Sequence, residues 1–297
     1  MRIAITGASG LVGTRTATLL RERGDEVVAL VRGETFAQGT ARWDPQSGEV
    51  DIDALGAVDA IVHLAGASVA AGRWSAARKL AIVDSRIPAT ERLCATLAAM
   101  PSRPRVLVSA SAVGYYGDRG DELLDESGTA GTDFLARVAH DWEMATAAAR
   151  EAGIRVVNLR IGLVLAENGG ALPRMLRPFR FGLGGRLGSG RQWMSWIALD
   201  DLAAAIAFTV DQEGLRGPVL GVAPNPVTNR EFTAALGAAL HRPTLIPAPA
   251  FALRLLLGEM ADGLLLASQR ARPRVLLDAG FEFTHADIGP TLVALCR

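Results

Sequence analysis

The chain is 297 residues long, room for one large domain or two unequal ones, and its 31 Lys+Arg balance 31 Asp+Glu. Without a global field to attract them, neither nucleic acid nor an acidic membrane surface is expected as a partner. The two cysteines, Cys94 and Cys296, show neither metal-ligand spacing nor a disulfide framework, no apolar leader precedes the first strand, and no apolar run could span a bilayer, so a cytoplasmic protein is expected.

Residues 3–5 read as a short buried strand that runs into Thr6-Gly7-Ala8-Ser9-Gly10-Leu11-Val12-Gly13, with a helical pattern over 15–23 directly behind. A strand delivering glycines to a helix N-terminus makes an anion site, because unpaired N–H groups and the positive dipole end face the same point. Gly7 allows the tight turn, Gly10 lets the backbone approach a pyrophosphate, Gly13 lets the helix pack on the strand, and Ser9 adds a hydroxyl donor. A glycine-rich turn without a ligand is the plainer reading. The second strand is expected over 26–31, with Arg32 just beyond Val31 at its carboxyl end. An acid there would hold the 2′-hydroxyl of an adenosine ribose, whereas an arginine suits a 2′-phosphate, so Arg32 is read as selecting NADP over NAD; the alternative is a solvated loop arginine.

Trp43-Asp44-Pro45 and Gly48 mark a loop or short strand. The strand over 58–64 ends on Leu64 and closes with Ala65-Gly66-Ala67, small residues that let a flat adenine or ribose reach the backbone. His63 within it is read as a satisfied core or strand-end histidine without a catalytic role. One long helix is expected over 75–100, kinked or divided at Pro88. The strand over 104–108 runs into Ser109-Ala-Ser111-Ala-Val-Gly-Tyr115-Tyr116-Gly117, whose hydroxyls would face the ligand crevice of an open parallel sheet. A second long helix over 134–151 follows, with Asp133, His140 and Glu143 read as its solvated face, and then a strand over 154–159 that continues through 160–165 toward the same crevice. Residues 181–197 are rich in glycine and aromatics without helical period, a candidate lid or binding segment. Asp200 is expected to cap a helix through Val210, one more strand covers 218–222, and the remainder is mainly helical.

This alternation predicts an α/β protein, a Rossmann-type doubly wound parallel sheet with a smaller, mainly helical C-terminal part. Residues 1–166 and 197–223 would form the dinucleotide-binding domain, and 167–196 with 224–297 the substrate part.

Further segments, Arg73-Trp74, Asp84-Ser-Arg86, Gly169-Gly-Ala-Leu172, Gly188-Ser-Gly-Arg-Gln192, Ser195-Trp-Ile197, Asn225-Pro-Val-Thr-Asn229 and Ala279-Gly-Phe281, complete a pattern over nearly the whole chain. With the glycine turn and the Ser109–Gly117 stretch, it resembles the extended short-chain dehydrogenase/reductase superfamily in its epimerase/dehydratase branch. More closely it is similar to an atypical subfamily labelled SulA-like cell-division inhibitor or nucleoside-diphosphate-sugar epimerase. The resemblance implies NADP(H) held at Gly7 to Gly13, at Val31 and Arg32, at Leu64 and Ala65 and near Arg86, with Arg160 to Leu165 beside the nicotinamide half. It also implies substrate contacts from 181–197 and the C-terminal part. Histidine stands at 63 where the subfamily has asparagine, and alanine at 198 where it has histidine.

Active members of the superfamily use a tyrosine as general acid/base with a lysine four residues later, whose charge favours phenolate. This chain has a single lysine, Lys79, and its only tyrosines are Tyr115 and Tyr116; Leu135 and Ala139 stand in the places of the pair. What remains is Ser111, matching the superfamily's catalytic serine/threonine, with Tyr115 or Tyr116 just past it, which together could hold a carbonyl and deliver a proton. Alternatively Ser111 only bonds backbone and the tyrosines fill space. Two functions are therefore carried forward: an NADP-dependent oxidoreductase or epimerase-like enzyme acting on a small molecule as monomer or homodimer, and a non-catalytic NADP(H)-binding regulator.

Overall fold

A computed structural model describes residues 1–33 and 37–296. Seven parallel strands form the central sheet: β1 (Arg2–Thr6), β2 (Glu26–Val31), β3 (Thr40–Arg42), β4 (Ala60–His63), β5 (Val106–Ala112), β6 (Arg155–Ile161) and β7 (Gly217–Gly221), in the spatial order β7-β6-β5-β4-β1-β2-β3. The chain thus moves outward from β1 to one edge, returns to β4 on the other side of β1, and proceeds to the far edge. The switch between β1 and β4 opens a crevice at the carboxyl ends of the strands, where ligands of doubly wound sheets bind.

Alternation along each strand builds two cores. Ile3 and Ile5 of β1 join Leu20 of the helix α1 (Leu11–Glu22) and Ile206 of the Leu199–Asp211 helix on one face. Ala4 joins Leu93 and Leu97 of the Ile87–Ala99 helix on the other. Period-2 burial on both faces is what a strand covered by helices on either side requires. A third, smaller core gathers Leu172, Leu176, Phe179, Trp196, Phe232, Leu236 and Leu292 beside the sheet.

The expected long helices are each divided. Residues 75–100 form Ala76–Asp84 and Ile87–Ala99, with Pro88 in the first turn of the second, where its missing N–H costs nothing. The 134–151 pattern breaks at Ala145 and Thr146 into Phe134–Met144 and Ala147–Glu151. Asp200 does not cap its helix: Ala198 is the N-cap, and Asp200 sits in the first turn as the ion partner of Arg15. The 181–197 segment is not wholly irregular, since Trp193–Met194 pairs with Val227–Thr228 and Trp196–Ala198 with Leu163–Ala166. Among the described residues no helix is long and apolar enough to cross a membrane, and no cluster of three or more His, Cys, Asp and Glu could hold a metal.

Candidate functional site

β1 ends at Thr6 and the chain reverses through Gly7, whose φ of +68° suits glycine. A Cβ on Gly7 would stand 3.0 Å from the backbone of Leu64 and Ala65, and one on Gly13 only 2.2 Å from Gly7 O. Both glycines are therefore demanded by close backbone approach. Gly10 is the N-cap of α1 and no side chain caps it, so the first N–H groups of the helix, at Leu11 and Val12, keep their donors for something else. Ser9 is exposed at the turn. An uncapped, glycine-built helix start at the sheet's switch point fits a pyrophosphate.

A buried hydrogen-bond chain fixes the walls of this crevice. Thr6 Oγ1 accepts from the N–H groups of Leu64 and Ala65 at 3.1 and 3.2 Å, so its own proton goes to His63 Nδ1 at 2.7 Å. His63 is then the Nε2–H tautomer, donating to Thr90 Oγ1 at 3.0 Å, and Thr90 also accepts from Trp142 Nε1 at 2.9 Å. Burial pushes the His63 imidazole down to about 4, so it stays neutral. The expectation of a satisfied structural histidine matches this arrangement.

Val31 and Arg32 lie at the carboxyl end of β2, next to the turn, since Thr6 and Leu30 are register partners. Arg32 is exposed and has no hydrogen-bond or ion-pair partner among the described residues. Arg86, by contrast, is built in. Its Nη1 donates to Ala67 O and Ile82 O at 3.0 and 3.2 Å, its guanidinium lies 4.9 Å from the Trp142 ring centroid, and a Cβ on Gly66 would meet it at 3.2 Å. Burial, aided by Arg78, lowers its pKa to about 10, and only its Nη1 donates hydrogen bonds among the described residues.

Beyond Arg86 opens a cleft of about 510 Å³. Its floor is Ala110 to Gly114 and Ile161 to Val164, one wall is Leu135, Val138, Ala139 and Trp142, and the other is Met175, Leu187, Trp193, Met194 and the π-helical turn Ala261–Leu266. Leu135 and Ala139, in the places of the tyrosine and lysine, line it. Ser111 is in the cleft, and Ser111 and Arg160 are register partners on β5 and β6. The Phe134–Met144 helix covers them and delivers Glu143: Ser111 Oγ donates to Glu143 Oε1 at 2.7 Å, and Arg160 holds the same carboxylate with Nε and Nη2 at 2.8 and 2.9 Å. Burial opposes the Arg160 charge, but the hydrogen bonds and charge of Glu143 outweigh it and raise the guanidinium pKa.

Several expectations are corrected here. Tyr116 is fully buried, donating to Asp125 O at 2.8 Å and accepting from Arg160 Nη1 at 2.9 Å, and burial raises its phenol to about 12; it does not reach the cleft. Tyr115 does not line the cleft either, its ring being covered by the Arg160 guanidinium at 3.5 Å. Ser109 and Leu165 are fully buried and Arg160 nearly so, and none of the three lines the cleft. Glu143 is no solvated residue, with only 11% of its side chain exposed. Its place was readable, because 135, 139 and 143 fall on one helical face. Lys79 is engaged by Glu259 and the Phe134 ring, so it does not replace the missing lysine.

Residues 3–223 match the model of the NAD dependent epimerase/dehydratase family, and residues 248–295 match a domain of unknown function, DUF1731. The chain belongs to the NAD dependent epimerase/dehydratase family. An epimerase family protein of Mycobacterium bovis is 48% identical over 98% of this chain and 96% of its own, and epimerase family protein YfhF of Bacillus subtilis is 38% identical over 97% and 95%. The crystal structure of human epimerase family protein SDR39U1 with NADPH superposes with a TM-score of 0.91 at 33% identity, covering 100% of this chain and 99% of that one. The family fold extends to UDP-glucose 4-epimerase of Thermus thermophilus, in complex with NAD, at a TM-score of 0.76 and 17% identity, covering 99% of each chain.

Proposed function

We propose that this chain binds NADP(H) and acts as an oxidoreductase or epimerase-like enzyme on a small molecule. The observation that carries the reading is Arg32, exposed and unpartnered among the described residues, at the tip of the strand beside the glycine turn. A guanidinium in that position pairs with a 2′-phosphate. The N–H groups around Gly7, Ser9, Gly10, Leu11, Val12 and Gly13 hold the pyrophosphate; Val31 and Arg32 take the phosphorylated ribose; Leu64, Ala65 and Gly66 form the wall beside it, and Arg86 offers its free N–H groups. The cofactor supplies hydride chemistry when bound. Ser111, its proton committed to Glu143, presents lone pairs and so accepts from a substrate hydroxyl. That NADPH accompanies the human relative of 33% identity supports the choice of cofactor.

Calorimetry with NADPH and NADH tests the reading. Binding of NADPH at least tenfold tighter than NADH is expected, and absence of heat with both overturns it. Leu135 and Ala139 in place of the acid/base pair favour a second reading, a cofactor-binding regulator without turnover. NADPH binding without oxidation across a broad panel of carbonyl compounds and sugar nucleotides would support it.

A further inference from the structure

Among the residues lining the 510 Å³ cleft, Arg86 is the one charged side chain. It lies at the Gly66 end, in contact with Trp142 and two backbone carbonyls, on the side assigned to the cofactor. The polar side chains deeper in are already engaged. Ser195 Oγ donates to Gln269 O at 2.7 Å and accepts from Ala271 N at 2.9 Å. Asn229 Oδ1 accepts from Leu187 N, and Gln269 Nε2 donates to Gly117 O. A nucleoside diphosphate placed here would bury two charges against aliphatic and aromatic carbon with no lining cation beyond Arg86, a cost that buried ions incur unless paired. Arg270 lies over the Trp193 ring at 4.3 Å and outside the lining.

A second cleft, of about 170 Å³, adjoins the first and shares Met175, Leu187 and Asn229 with it. Phe179, Phe232 and Ile246 line it, and Leu183 and Ile246 leave large apolar surfaces exposed at its lip. Met175, Leu187 and Asn229 stand between the two spaces, the first of which contains the Ser111 hydroxyl while the second has exposed apolar side chains at its lip.

We infer that the substrate is an uncharged, largely apolar molecule rather than a sugar nucleotide, with a hydroxyl at Ser111 and an apolar tail running past Met175 and Leu187 into the second cleft. The inference rests on the site reading proposed above. The missing tyrosine–lysine pair then has a counterpart in recognition: the side chains that replace it, Leu135 and Ala139, extend the apolar wall. Ser111 supplies direction, because it accepts a hydrogen bond from the substrate and has no proton left to give.

The test is calorimetry on NADPH-saturated protein with a series from hexan-2-ol to dodecan-2-ol, and with UDP-glucose. Alcohol and reduced cofactor exchange no electrons, so binding alone is read. Affinity is expected to rise about fourfold per methylene until the second cleft is full, while UDP-glucose gives no heat. Met175→Gln and Leu187→Gln, checked for folding by circular dichroism, should each flatten the slope. A flat series in the wild type, or UDP-glucose binding in preference to the alcohols, overturns the inference. NADPH is titrated alone first, which separates the two claims. Cofactor binding with a flat series leaves the cofactor reading standing without this one; if NADPH gives no heat, the series is run on the protein without nucleotide, and a steep slope there does the reverse.

Discussion

Ser111 and Arg160 sit opposite each other on adjacent parallel strands, and Glu143 from the covering helix binds both. One carboxylate thus orients the cleft hydroxyl on β5 and neutralises the guanidinium beneath it. Ser111→Ala removes the acceptor proposed for a substrate hydroxyl and is expected to reduce turnover of any alcohol the protein oxidises by roughly a hundredfold or more. NADPH affinity, measured by calorimetry, should be retained. Equal kcat values for variant and wild type would exclude the role.

The Arg160–Glu143 pair is nearly enclosed, and removal of one partner from such a pair strands the other as a buried charge. Arg160→Met is expected to lower unfolding free energy by about 3–5 kcal/mol, since it also uncovers the Tyr115 ring and deprives the Tyr116 oxygen of its donor. The double variant Arg160→Met/Glu143→Leu should recover part of that loss, because no lone charge is left behind. Urea denaturation of the three proteins gives the comparison, and a double variant less stable than Arg160→Met would contradict the argument.

The doubly wound sheet, the glycine turn and the structural His63 were all legible in the sequence, because each depends on local pattern: strand periodicity, glycines between a strand and a helix, a histidine in a buried strand. What escaped was long-range. Ser111, Glu143 and Arg160 come from three elements, and only the β5–β6 register together with the covering helix shows that they meet. Tyr115 and Tyr116 attracted a catalytic reading because they are the chain's only tyrosines near a hydroxyl-bearing strand end. The 3-10 turn over Val113–Tyr116 carries Tyr116 into the core instead. The helix division at Ser85–Arg86 was marked by Pro88, whereas the sequence pattern marked none at Ala145–Thr146.

Arg32 has a separable effect. A charge-assisted hydrogen bond to a phosphate contributes about 1.5–3 kcal/mol, so Arg32→Ala should weaken NADPH binding by about tenfold to a hundredfold while leaving NADH nearly as before. The exposed position argues against a folding defect, and thermal melts of the apoprotein should coincide with wild type. Equal losses for both cofactors would assign Arg32 to something other than the 2′-phosphate.

His63 gives the fold an acid limit whose sign follows from its partners. Thr6 delivers a proton to Nδ1, and its two lone pairs are held by Leu64 and Ala65, so a protonated Nδ1 would find no acceptor there. Burial takes the imidazole from about 6.5 down to about 4. Between those values the unfolded chain binds a proton that the folded one refuses, so this contribution is complete above pH 6.5 and lost as pH falls toward 4. The shift corresponds to about 3 kcal/mol. His63→Asn, which cannot take up that proton, should remove this slope, and its stability relative to wild type should improve steadily from pH 7 to pH 4. Urea midpoints for both proteins across that range decide the matter; parallel curves would show that His63 titrates alike in the folded and unfolded chains, which a ring wedged between Thr6 and Thr90 does not allow.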